Sequence, residues 1–187
     1  VAAAMADPDN GLSEIPIAKR ITSSDYEISQ GAFREIVASA ASGKFDDVIP
    51  TWRAALTMHS AWKQVVAAAE AHYVPGQFTT FVAYEWTSLP GNANMHRNVI
   101  FRDTKVPELP FTALDSDRPE DLWSAMETWR GFGATVLAIS HNGNASIGKM
   151  FSPLDSDGNF MTAEYANRRL ANEPLHEAGQ VKGVSMA

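Results

Sequence analysis

Glu85, His96 and His141 are a carboxylate and two imidazoles, and a set of that kind suits zinc, iron or manganese. Each sits at or beside the end of an apolar run. Glu85 closes Phe81-Val82-Ala83-Tyr84, His96 opens the run through Asn98-Val99-Ile100-Phe101, and His141 follows Val136-Leu137-Ala138-Ile139-Ser140. In α/β sheets and barrels, functional side chains gather beyond the carboxyl ends of parallel strands, a placement that suits Glu85 and His141. His96 stands at a strand start. It reaches the same rim only if its strand runs antiparallel to the other two, which makes the first two strands a hairpin with a loop from Trp86 to Met95. Each residue also has a plainer explanation: a solvated loop glutamate, a surface histidine before Arg97, and an ordinary polar turn at His141-Asn142-Gly143-Asn144.

Other groups fit chemistry less well. His59 and His72 lie among apolar neighbours on a helical stretch and read as packed or surface histidines, and His176 has no setting for a ligand. Asp155-Ser156-Asp157-Gly158-Asn159 resembles the start of a calcium loop. An EF-hand needs a glycine at its sixth position and a glutamate at its twelfth, where Ala166 stands, so the segment reads as a turn. There is no phosphate-binding glycine loop, nucleophile elbow or dinucleotide fingerprint. Trp52, Trp62, Trp123 and Trp129 read as core.

The elements that must position these groups follow from periodicity. Residues 7–30 read as irregular, with a turn cluster at Asp7-Pro8-Asp9-Asn10-Gly11 and a helix-entry signal at Thr22-Ser23-Ser24-Asp25. Phe33, Ile36, Val37 and Ala40 predict a helix over 29–41, capped by Gly43. A long amphipathic helix over 50–72 carries Trp52, Leu56, Trp62 and Val66 on one stripe. Strands follow at 78–84, 97–102 and 134–139, with helices from Arg118 to Gly131 and from Thr162 to Asn172 and a last short strand at 180–184. The order β, β, α, β, α, β fits an α/β layer or an arc of a barrel.

Composition bounds the possibilities. With 45% apolar residues among 187, a sizeable core is within reach. A net charge of −7 argues against nucleic acid or an anionic membrane surface as partner, since both need a basic face. The absence of cysteine excludes disulfides, thiolate metal sites and a cysteine nucleophile. No apolar stretch approaches the roughly 20 residues of a bilayer span. No signal peptide is visible in Val1 to Ala6, and the compartment, periplasmic or cytoplasmic, stays open. The Val start and the end at Val184-Ser185-Met186-Ala187 set the expectation of an internal fragment of a longer chain.

Three strings occur in order: Phe81-Val82-Ala83-Tyr84-Glu85-Trp86-Thr87-Ser88, Asn94-Met95-His96-Arg97-Asn98-Val99-Ile100-Phe101, and Ile139-Ser140-His141-Asn142-Gly143-Asn144. Together they resemble a bacterial family catalogued as domain of unknown function 3604, distantly similar to the PHP (polymerase and histidinol phosphatase) superfamily. That resemblance implies a distorted α/β barrel whose rim holds divalent metals and hydrolyses phosphate esters. By it, Glu85 is similar to the carboxylate that bridges metals and His96 to the histidine one strand later. His141 is similar to the histidine that usually precedes a proline, with Asn142 here in the proline's place. Asn94, Arg97, Asn142 and Asn144 become substrate-contact or ligand-supporting candidates. The His-x-His, Asp-His and Asp-x-His motifs of such families are absent from these 187 residues.

The expected fold is therefore α/β: a helical segment over 1–76 packing on a partial PHP-like barrel over 77–187 that carries the metal rim. The expected function is part of a metal-dependent hydrolase acting on a small-molecule substrate such as a phosphate ester. Its divalent metal (zinc, manganese or iron) is held in a longer parent chain, and this piece by itself is expected to be inactive. The competing expectation is a non-catalytic binding or scaffold module that docks through the 50–72 helix.

Overall fold

The structure is a computed structural model and describes residues 13, 15–42, 44, 55–181 and 183–184. The chain divides into two compact units, Val1–Gln64 and Val65–Ala187. In the first, α1 (Pro16–Ile21) packs on α2 (Tyr26–Ala41). Proline at its first turn starts α1, and Asp25 starts α2 by accepting the Glu27 and Ile28 N–H groups at 2.9 and 3.2 Å. Ile17, Ala18, Ala32 and Ile36 are buried, whereas Phe33 and Val37 of the anticipated stripe are exposed. α1 corrects the expectation of irregular chain over 7–30; six residues are too few for a 3.6-residue period to declare itself. α3 (Ala55–His72) confirms the helical character of its stretch, while the start at Pro50 and the cap at Gly43 lie outside the described residues.

The second unit is built on a four-stranded sheet in the order β1 (Val82–Trp86), β2 (Arg97–Phe101), β3 (Val136–Ser140), β4 (Leu175–His176). β2 is antiparallel to both β1 and β3, and β4 is parallel to β3. The sheet is therefore mixed, and among the described residues it does not close into a barrel. With five helices among the described residues, the fold is mixed α/β. β1 begins at Val82 rather than Phe78 because its partner ends at Phe101, opposite Val82; Phe78 instead bridges back to Val74 around Gly76, whose φ of 74° a side chain would resist. The strand expected over 180–184 is instead a hairpin of β5 (Gly179–Gln180) and β6 (Gly183–Val184), and β4 before it was not anticipated.

Alternation along the strands decides which face is core. Val82 and Trp86, Arg97, Val99 and Phe101, and Val136, Ala138 and Ser140 are buried on one face. Against that side lie Leu122, Trp123, Met126 and Trp129 of α4 (Pro119–Gly131), with the Trp129 ring 5.5 Å from that of Phe101. Each such side chain contributes about 1.5–3 kcal/mol on burial. α4 opens with Pro119 and the acidic pair Glu120 and Asp121 and ends beside Arg130, matching the helix dipole at both ends. α5 (Ala163–Asn172) is capped by Thr162, whose hydroxyl accepts the Tyr165 N–H at 3.1 Å.

α4 and α5 are cross-linked by Arg168, which reaches Glu127 with Nε at 2.9 Å and Nη2 at 3.0 Å. This guanidinium holds the Glu127 carboxyl below its ordinary 4.5, against the opposing effect of partial burial and with help from the Asn172 amide. A carboxyl depressed in the folded state stabilises it above the unfolded value, and that contribution fades as the pH falls through 4.5 toward the folded value. Glu127→Gln should accordingly lower the urea midpoint near neutrality, with the gap to wild type closing in acid. Both side chains are partly exposed, so the difference should stay under about 1 kcal/mol. A gap of constant size across the pH range would show that the pair does not act through charge.

Candidate metal centre

The ladder brings the three ligand candidates together. β1 and β2 pair Glu85 with Asn98, and β2 and β3 pair Arg97 with Ser140. His96 and His141 lie one step further, where His141 N donates to His96 O at 3.1 Å and so extends the ladder past the strand ends. Period-2 alternation puts Glu85, His96 and His141 on one face and leaves Trp86, Arg97 and Ser140 on the other. The middle strand is antiparallel, so its start meets the ends of its two neighbours, as the hairpin argument required. Each ligand candidate is also next in the chain to a residue anchored in the core: Trp86 at 0%, Arg97 at 1% and Ser140 at 2% exposure.

Glu85 Oε1 lies 2.8 Å from His96 Nδ1 and 3.1 Å from His141 Nε2. One ligand atom from each of the three residues falls within 4.8 Å of the other two. The imidazole rings meet edge to face with centroids 5.8 Å apart. Donors around a tetrahedral ion at about 2.0–2.1 Å are separated by roughly 3.3 Å, so Glu85 need move only a few tenths of an ångström from each imidazole to share one. His96 and His141 are largely buried at 17% and 14% exposure, and Glu85 opens to solvent at 45%. That combination leaves an access path on the carboxylate side.

Behind His141 stands Glu177, which sequence reasoning missed. Its Oε2 lies 2.9 Å from His141 Nδ1, accepts the Asn142 N–H at 3.0 Å, and accepts a third bond from the Gln180 side-chain amide. Partial burial alone would raise the Glu177 carboxyl, but these donors overcome it and draw the group down to about 2. The signal lies in register: β4 pairs Ser140 with His176, so the next residues, His141 and Glu177, fall side by side.

The remaining candidates are engaged in holding the rim. Asn94 Oδ1 accepts the His96 N–H at 3.3 Å, and its own N–H donates to Ala145 O at 2.9 Å. Asn142 is fully buried; its Oδ1 accepts the Asn144 N–H at 3.2 Å and its Nδ2 donates to Gly183 O at 3.2 Å. Arg97 turns into the core, where its guanidinium lies over the Trp86 ring at 5.6 Å, donates to Met95 O, and pairs with Glu173 at 2.9 Å. Outside the cluster, His72 Nδ1 meets Ala68 O at 2.8 Å, and His176 contacts Ser140 Oγ and the Phe151 ring. The Asp155 segment is a turn: its Oδ1 accepts the N–H groups of Asp157 and Asn159. On the 50–72 helix Trp62 is buried and Val66 half-buried, while Trp52 and the side chains of Leu56 and His59 lie outside the described residues.

No helix among the described residues is long and apolar enough to cross a membrane. No curated protein and no solved structure matches the chain. Over residues 1–187 it matches the family described as Protein of unknown function (DUF3604), and the chain belongs to that family.

Proposed function

We propose that the chain carries part of the active site of a metal-dependent hydrolase, in which Glu85, His96 and His141 hold a divalent cation. The observation that carries this reading is the convergence of three ligand atoms, from residues as far apart as 85 and 141, within 4.8 Å on one face of a sheet. The two-nitrogen, one-oxygen set suits zinc, manganese or iron(II). A divalent ion in such a place supplies Lewis-acid chemistry, activating water near neutral pH and polarising the ester under attack. The chain's own contribution is to hold all three side chains on one face of the sheet, Glu85 within β1 and the two histidines one residue beyond the ends of β2 and β3. A small-molecule phosphate ester is the substrate class favoured by the resemblance to PHP-type enzymes. With three protein ligands, the 187-residue chain alone should bind metal weakly and leave substrate intact. Further ligands from a longer parent would complete the site.

Calorimetric titration of the chain with zinc, at protein concentrations high enough to saturate a weak site, tests the proposal. One ion per chain, displaced by chelator, is the expected result. In a longer protein containing this chain, hydrolysis of a generic aryl phosphate should vanish with chelator and return with metal. Absence of saturable binding by zinc, manganese and iron(II) alike would remove the metal centre, and with it the hydrolase reading.

A further inference from the structure

We infer that Glu177 is a positioning residue of this centre, holding His141 in the ring orientation and tautomer that turn Nε2 toward Glu85 and His96. The inference rests on the metal-binding reading above and concerns how the chain prepares that site. The parallel register of β3 and β4 carries Glu177 alongside His141, and Glu177 N donates to Ser140 O at 2.9 Å, which fixes its backbone. Three donors then converge on the single oxygen Oε2: the His141 ring at Nδ1, the Asn142 N–H and the Gln180 amide. A carboxylate held by that many bonds cannot swing away, and it keeps the ring proton on Nδ1. The Nε2 lone pair, 3.1 Å from Glu85, is then the one offered to a cation. Gln180 Nε2 also lies 2.8 Å from Nδ1, but with the proton on Nδ1 both groups are donors, so the Gln180 amide bonds to the carboxylate and not to the ring.

The β5–β6 hairpin that follows Glu177 is itself clamped to the turn after His141. Gly183 accepts from Asn142 Nδ2, and a Cβ at Gly183 would fall 2.2 Å from Asn144 Nδ2, so a larger residue there requires the Asn144 side chain to move. Its φ of +128° independently strains any other residue. Glu177 and Gln180 thus lie in a segment hydrogen-bonded to the turn behind the histidine.

Nitrogen-15 NMR of the His141 ring, recorded above the imidazole titration range, gives a direct test without metal. Wild type should show the proton on Nδ1, and Glu177→Ala should shift it toward Nε2. Zinc affinity of Glu177→Ala should fall 10- to 100-fold, the usual cost of losing the partner of a ligating histidine. The thermal midpoint in chelator should be recorded alongside to report the fold. Glu177→Gln keeps the volume and an accepting oxygen; it should recover part of the affinity and serves as the comparison if the alanine variant does not fold. A wild-type ring protonated on Nε2, or zinc affinity unchanged in both variants, would overturn the role of Glu177 while leaving the metal site standing. No zinc binding by wild type would overturn both.

Discussion

His141→Ala should cut zinc affinity by more than about 100-fold, beyond the 10- to 100-fold expected for losing a group that only supports a ligand. In a longer, active protein it should abolish hydrolysis. The reason is positional. His141 Nε2 and His96 Nδ1 both address Glu85 Oε1, so removing one imidazole leaves a single ring nitrogen and a carboxylate that is 45% exposed and free to take water instead. The fold should survive, because the ring stands on the rim face while the neighbouring Ser140 and Asn142 stay buried. Circular dichroism with calorimetry on the same sample separates the two effects, and His72→Ala, on α3, serves as the control that should bind as wild type does. Undiminished zinc content in His141→Ala would take this histidine out of the site.

Glu173→Ala should be the costliest core substitution, lowering the unfolding free energy by about 3–5 kcal/mol in urea titrations. Glu173 has a side-chain exposure of 1%, and its Oε1 accepts from two donors, Arg97 Nε at 2.9 Å and Trp123 Nε1 at 2.8 Å, while Oε2 faces Arg169 Nη2 as an ion pair at 3.4 Å. The pair with Arg97 is buried on both sides, and truncating one partner of such a pair strands the other charge. Trp123 Nε1 would lose its acceptor as well. Arg169 is the more exposed cation at 16% and can turn to solvent, so the penalty falls on Arg97. Glu173→Gln keeps a bond to Trp123 and should recover a fraction of the loss. A change below about 1 kcal/mol for the alanine variant would mean that Arg97 finds another partner.

How much of this was legible beforehand depends on whether the information is local. The strands carrying Glu85, His96 and His141 announce themselves as short apolar or β-branched runs. Period-2 alternation with an antiparallel middle strand is enough to put all three on one face. Helices α4 and α5 were marked by Pro119 and Thr162 at their starts. Glu177 was not visible because its role comes from pairing between residues 36 apart, in a strand of two residues that has no periodicity to detect. Arg97 looked like a rim residue for the same reason His96 did, proximity in sequence. Adjacent residues on a strand face opposite ways, and its partner Glu173 is 76 positions on. The exposed Phe33 and Val37 show the converse: helical spacing marks a stripe without saying how much of it is covered.

The alternation that seats each ligand beside a core residue also separates two events that small metalloproteins often merge. Where a fold condenses only around its ion, chelation melts it. In the proposed centre Trp86, Arg97 and Ser140 lie in the interior without an ion, so loading and unloading of a cation would be local chemistry on a scaffold that is folded beforehand.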